Sequence, residues 1–257
     1  MDMGISGKAA LVTGAARGIG LAEATALARE GVNIAICDLD LEAAQQAASD
    51  LSARFGVKAH GYEADVTKEE AVTALFDDVL KEFGVLHILV NNAGVAGKWV
   101  GKTIENMDFE AWDFMMRAHL DSTFLCTRAA IPLMRAAGFG RIINTSSMNV
   151  VGGGRPGNAN YTTAKAGVHG FTRVVAKEVG EMGITCNCLA PGYVETALIA
   201  YFSDEARNII TSQNPVGRFC RPEEVAAAVV YLCSPQAAFV NGAMLNLDGG
   251  RREFHWG

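Results

Sequence analysis

Tyr161 and Lys165 stand four residues apart in the run NYTTAKAGVHGFTRVVAKEV, whose apolar spacing is helical, so both side chains fall on one face. A free phenol titrates near pH ~10, too high to exchange protons readily at neutral pH. A neighbouring positive charge favours the phenolate and brings that chemistry within reach. The pair is therefore a candidate acid/base for a carbinol or carbonyl group. The same spacing also occurs on solvated helix faces that carry one buried aromatic, so the pair gains meaning only from other motifs.

A second group of residues suits a phosphate. The β-rich run KAALVTG leads into Thr13-Gly14-Ala15-Ala16-Arg17-Gly18-Ile19-Gly20 and then a helical run, LAEATALARE. Glycines there permit a sharp turn and close approach of backbone to a pyrophosphate. The free N–H groups and positive dipole end of the following helix favour an anion. Asp38 closes the next β-rich run 18 residues beyond Gly20, where a carboxylate can accept hydrogen bonds from an adenosine ribose. Facing a 2′-phosphate at about 4 Å, it would cost roughly 4 kcal/mol per charge at an effective dielectric near 20. NAD is thus expected over NADP, with Arg17 as a partial offset. Asp38 also reads as a simple turn residue. Asp65, followed by Val66, ends the third run, either touching adenine or capping the helix that starts near Thr67.

The elements that must carry these residues alternate. Seven β-rich runs, at 8–14, 32–38, 57–66, 86–94, 141–147, 184–192 and 243–250, are separated by amphipathic stretches. Repeated strand-helix-strand units with right-handed crossovers predict a doubly wound, Rossmann-type α/β fold, a parallel seven-stranded sheet with helices on both faces. We expect one domain over 1–257, binding ligands beyond the carboxyl ends of the strands. Asn91-Asn92-Ala93-Gly94, Ser146-Ser147 and Pro191-Gly192 all fall at such ends. Extra helical sequence from Glu195 to Gln213 interrupts the alternation and reads as a lid.

Composition narrows the function. Half of the 257 residues are hydrophobic, 19% are charged and the net charge is -6, which fits a covered sheet and gives no basic stripe for nucleic acid. The six cysteines match no metal or disulfide framework, and Cys186-x-Cys188 lacks the turn of a zinc knuckle. No metal is expected. MDMGISGKAALVTG does not read as a signal peptide, and the apolar runs are too short to span a membrane. A cytoplasmic setting is expected.

Taken together, the TGAARGIG loop, Asp65, the NNAG run at 91–94, Ser147 in GRIINTSS, Tyr161-x-x-x-Lys165 and Pro191-Gly192 with Thr196 closely resemble the short-chain dehydrogenase/reductase family over nearly the whole chain. The resemblance implies that Ser147 polarises the substrate oxygen and Tyr161 exchanges its proton. It implies that Lys165 binds the nicotinamide ribose while lowering the phenol's pKa, and that Thr196 and the backbone near Val194 hold the carboxamide. Asn92, Ala93 and Gly94 would line the cofactor cleft, and Met148, Asn149, Tyr193 and Trp99 the substrate side.

One position departs from the family pattern. Where relatives carry an asparagine thought to hold a relay water for the lysine, this chain reads Ala118-His119-Leu120. An imidazole both donates and accepts, and with an ordinary pKa of about 6.5 it would add an ionisation between about pH 6 and 7. Alternatively His119 fills the space and weakens the relay. The loop between Ser147 and Tyr161 is longer than in many relatives and holds Arg155, a candidate for a substrate carboxylate or phosphate or simply a solvated residue.

The expected activity is NAD-dependent hydride exchange with a secondary alcohol or ketone, such as a polyol or hydroxy acid. The enzyme alternative is an NADPH-dependent 3-oxoacyl thioester reductase, opposed by Asp38 and by the lack of a basic run for an acidic carrier. The non-enzyme alternative is a nucleotide-sensing protein on the same fold, opposed by the presence of Ser147, Tyr161 and Lys165. The family also implies a homotetramer, and the tail GGRREFHWG, with Phe254 and Trp256, is expected to touch a neighbouring subunit.

Overall fold

The computed structural model describes residues 2–152, 154–197, 199 and 202–251; the tail aromatics Phe254 and Trp256 lie outside them. Seven strands, Ala9–Thr13 (β1), Asn33–Asp38 (β2), Ala59–Glu63 (β3), Ile88–Asn91 (β4), Gly140–Thr145 (β5), Ile184–Pro191 (β6) and Met244–Leu247 (β7), form one sheet in the order 3-2-1-4-5-6-7. Every pairing is parallel. The order reverses between β1 and β4, and the crevice at that point is where the candidate residues gather.

Alternation along the strands splits the core in two. Val12, Ile34, Ile36 and Val90 face one side, against Gly18–Arg29 (α1), Leu41–Phe55 (α2) and Pro222–Cys233 (α9). Leu11, Ala35, Leu89 and Ile142 face the other, against Glu69–Phe83 (α3), Ser122–Ala137 (α5) and Ala159–Val179 (α7). Because a parallel sheet is covered on both faces, its strands read as near-continuous apolar runs, and all eight residues of β6, including Cys186 and Cys188, are buried.

The helical segment of the fourth crossover runs in two pieces. Phe109–Met116 (α4) passes into α5 through a π-turn at Arg117–Asp121 that contains His119. Widening the turn changes the usual carbonyl pairing, and the Ser122 and Thr123 hydroxyls donate to the carbonyls of Ala118 and His119 at 2.9 and 2.7 Å. Asn149–Gly152 (α6) and Asp204–Ser212 (α8) are short helices beside the crevice.

One polar residue sits awkwardly in this core. Glu23 of α1 is fully buried, near enough to Cys233 at the end of α9 to affect that thiol, and neither carboxylate oxygen has a partner. Burial alone pushes its pKa up to about 8. Its unfolded value is near ~4.3, so the native state keeps a proton that the unfolded chain releases. Stability should be highest at the acid end of this window and fall between about pH 4.5 and 8, by up to ~1.4 kcal/mol per pH unit. Urea unfolding across that range should show the slope in the wild type and a flatter profile in Glu23→Gln; an unchanged slope in the variant would refute this assignment.

Candidate active site

The site is assembled at the ends of β1, β4, β5 and β6. At the reversal of strand order, Asn92 donates from Nδ2 to the carbonyls of Thr13 and Gly14, both at 3.0 Å. The N–H groups of Asn92 and Ala93 donate to the Thr13 hydroxyl at 3.2 and 3.1 Å. These bonds hold the glycine turn against β4. Gly14 has a φ of +61°, and a Cβ there would lie 2.9 Å from Ala93 Cα, so only glycine permits the approach.

Beyond the turn, α1 begins at Gly18 with no side-chain cap, leaving its first N–H groups for a ligand. Ile19 reaches the cleft wall and Gly20 is buried in the first turn. Thr196 is brought opposite, its methyl 3.9 Å from where a Gly18 Cβ would stand. A cradle of uncapped N–H groups next to a glycine turn fits a pyrophosphate.

Asp38 accepts from the N–H groups of Ala16, at 3.0 Å, and Leu39, at 2.9 Å, so it ties β2 to the glycine turn. Arg17 has another carboxylate as its partner. Its guanidinium pairs with Asp40 at 2.7 Å on the surface. Asp65 accepts from the N–H and hydroxyl of Thr67, at 3.1 and 2.6 Å, which favours its role in shaping the turn before α3; Val66 is buried in the core.

The acid/base pair sits at the start of α7. Two bonds lock that helix to β5: Lys165 Nζ donates to the Thr145 carbonyl at 2.6 Å, and the Ser146 hydroxyl donates to the Lys165 carbonyl at 3.0 Å. Ser147, buried at the cleft, accepts from the Asn149 N–H at 3.2 Å and lines the same space as the Tyr161 phenol. Burial pushes that phenol up and the Ser147 hydroxyl opposes the rise, so burial rather than the lysine's charge dominates Tyr161 here. Burial also lowers Lys165 to about 7; its ammonium is therefore gained as pH falls through neutrality, 5.9 Å from the tyrosine ring centre.

His119 meets Tyr161 edge to face, with ring centres 5.2 Å apart. Its Nε2 lies 2.9 Å from the Val95 carbonyl and 3.4 Å from the Val95 N–H. One nitrogen cannot serve a donor and an acceptor at once, whereas a carboxamide could bond both. Nδ1 is buried without a partner. Burial, then the Lys165 charge, hold the imidazole's pKa well below its usual value. The ionisation expected between about pH 6 and 7 is corrected accordingly: the ring is neutral there because a dry site disfavours its cation.

The cleft in front of Ser147 and Tyr161 holds about 260 Å³. Asn149, Arg155, Pro191, Gly192, Tyr193, Val194 and Met148 reach it, but Trp99 does not. That residue stacks on Phe114 at 4.3 Å instead, and its carbonyl accepts from Asn160. Sequence reasoning missed Ala96, Val100, Asn158, Ile199 and Phe202 on the wall. Ile199 and Phe202 come from the extra segment read as a lid, of which residues 198, 200 and 201 lie outside the described ones.

Comparison with known proteins agrees with this architecture. A family model described as "Enoyl-(Acyl carrier protein) reductase" matches residues 14–252. A 3-oxoacyl-[acyl-carrier-protein] reductase of Aquifex aeolicus is 38% identical, over 97% of this chain and 99% of its own. A cis-4-hydroxycyclohexanecarboxylate dehydrogenase of Sinomonas cyclohexanicum is 41% identical, over 95% and 96%. The structure of L-sorbose reductase from Gluconobacter frateurii, complexed with NADPH and L-sorbose, superposes with a TM-score of 0.90 at 34% identity, over 98% of each chain. The chain belongs to the short-chain dehydrogenase/reductase family. It is an NAD(P)-dependent oxidoreductase acting between CH–OH and C=O groups. Among the described residues no helix is long and apolar enough to cross a membrane.

The fit of His119 over the NNAG turn is testable. A Cβ on Gly94 would lie 2.5 Å from His119 Cε1, so Gly94→Ala must displace the ring. We expect a loss of about 1–3 kcal/mol in thermal or urea unfolding, largely relieved when His119→Ala is added. Additive losses in the double variant would show that the two residues do not press on each other.

Proposed function

We propose that this enzyme exchanges hydride between NAD(H) and a secondary alcohol or its ketone, with Tyr161 as acid/base. The observation that carries this reading is that Ser147 and Tyr161 line the same cleft, backed by a lysine bonded to the end of β5. Ser147 holds the substrate oxygen and Tyr161 takes or returns the hydroxyl proton. The dinucleotide would be held by the N–H groups at Gly18 and Ile19, with Asp38 at the adenosine ribose, Asp65 and Val66 near adenine, Lys165 at the nicotinamide ribose, and Val194 and Thr196 at the carboxamide. Its nicotinamide supplies a hydride acceptor or donor next to Tyr161. His119 is a positioning residue for the 94–95 turn, with a neutral Nδ1 left as an acceptor for a relay water.

Asp38 supports NAD, and Arg17, engaged by Asp40, does little to offset its charge. The L-sorbose reductase complex carries NADPH, so the preference rests on this chain's own residue. A second reading, an NADPH-dependent 3-oxoacyl thioester reductase, draws on the name of the Aquifex relative. Steady-state assays with NAD(H) and NADP(H) against secondary alcohols, hydroxy acids and an acetoacetyl thioester separate the two. Tyr161→Phe should lower kcat by about 10²–10⁴ while the protein stays folded. Asp38→Asn should lower the NAD-to-NADP ratio of kcat/KM by about one to three powers of ten. Full turnover in Tyr161→Phe, or a wild type fastest on the thioester with NADPH, would displace the first reading.

The enzyme is further proposed to be a homotetramer. Phe239 is fully exposed near Tyr231 of α9 in sequence, and Leu245 is exposed on the open edge strand β7, while Phe124 of α5 and Val174 of α7 are exposed on the opposite helical layer. Two apolar surfaces of this kind suit two kinds of subunit contact. Sedimentation equilibrium at micromolar concentration should give four chains; a monomer would reject the assignment.

A further inference from the structure

The wall of the cleft is uneven in charge. Among the described residues that line it, Arg155 alone carries a formal charge, and no Asp or Glu does. The remainder is apolar, as at Met148, Ile199 and Phe202, or neutral and polar, as at Asn149 and Asn158. Arg155 stands just before the 21-residue α7, where its carbonyl accepts from the Asn158 N–H at 3.2 Å. It also lies near enough to Tyr193, across the cleft opening from α7, to favour that phenol's ionised form. A guanidinium beside apolar walls in a space of about 260 Å³ selects for a small molecule with one anionic end.

We propose that the substrate is a small hydroxy acid or the matching keto acid, its carbinol carbon at Ser147 and Tyr161 and its carboxylate on Arg155. This rests on the dehydrogenase reading above. In the oxidation, Tyr161 first releases its own proton to solvent, the phenolate then takes the O–H proton, the C–H hydride goes to NAD+, a C=O bond forms, and the carboxylate is carried through unchanged. Binding is supplied by a planar, permanently charged fork matched to a carboxylate, which a neutral ester or amide cannot engage in the same way.

The test pairs each acid with an uncharged analogue. With NAD+, the wild type should favour 3-hydroxybutyrate or 4-hydroxycyclohexanecarboxylate over the corresponding methyl ester by at least tenfold in kcat/KM, mostly through KM. Arg155→Gln should bring that ratio close to one, and Arg155→Lys should restore part of it. Equal use of acid and ester for both pairs, or an undiminished preference in Arg155→Gln, overturns the proposal. A binding measurement separates this failure from failure of the dehydrogenase reading. In calorimetry with NAD+ present, the non-reacting butyrate and cyclohexanecarboxylate should bind the wild type at least tenfold more tightly than their amides, and Arg155→Gln should lose the difference. Carboxylate selectivity without turnover of any alcohol would refute the dehydrogenase reading and keep the anion site, whereas equal binding of carboxylate and amide would refute the site.

Discussion

Lys165 carries an amino group, its pKa lowered by burial to about 7, into a part of the protein that water scarcely reaches, and the Thr145 carbonyl is the partner it finds there. A buried cation without such a partner would cost several kcal/mol, so α7 must lie with this turn against the end of β5. The Ser146 hydroxyl fastens the same turn by taking up the Lys165 carbonyl. Once these two bonds are made, Tyr161, one helical turn earlier, meets Ser147 at the strand end. The arrangement of these three side chains follows from how a lysine avoids being alone in a dry interior.

The same need organises the middle of the sheet. Asn91 donates to Asn144 at 2.8 Å, and Asn144 donates to the Thr172 hydroxyl of α7 at 2.9 Å, a chain of buried amides that crosses from β4 through β5 to the catalytic helix. Thr13 and Asn92 join β1 to β4 in a similar way. Such bonds are directional, so they fix relative positions that apolar packing alone would leave slack. Polar pairing is not complete: Asn91 Oδ1, Thr145 Oγ1 and His119 Nδ1 are buried without partners, and all three lie at the carboxyl end of the sheet.

Family membership defines the chemistry more firmly than the substrate. Relatives named for a 3-oxoacyl carrier protein and for a hydroxycyclohexanecarboxylate share comparable identity with this chain, so overall similarity does not discriminate between them. The cleft wall is completed by groups that arrive from other segments: Arg155 before α7, Tyr193 after β6, and Ile199 and Phe202 beside α8. Arg251 anchors α8 from the far end of the chain through the Ile210 carbonyl. Small changes in these loops alter the wall while leaving the sheet untouched.

Much of the fold was legible because its signals are local. Apolar runs bounded by glycines and acidic turns located all seven strands to within a few residues, and the spacing of Tyr161 and Lys165 placed both on one face of a helix. The π-turn around His119 was not legible, since it depends on which carbonyls Ser122 and Thr123 take up after packing. Trp99 was assigned to the substrate wall by its place in the chain, but its ring found a better surface on Phe114. Residue types and periodicity thus determined the doubly wound sheet and the strand ends at which chemistry could occur. Tertiary structure alone decided that burial, rather than charge, governs Tyr161, that His119 is neutral, and that Arg17 serves Asp40. Desolvation and pairing depend on atoms brought together from distant segments, and no local spacing encodes them.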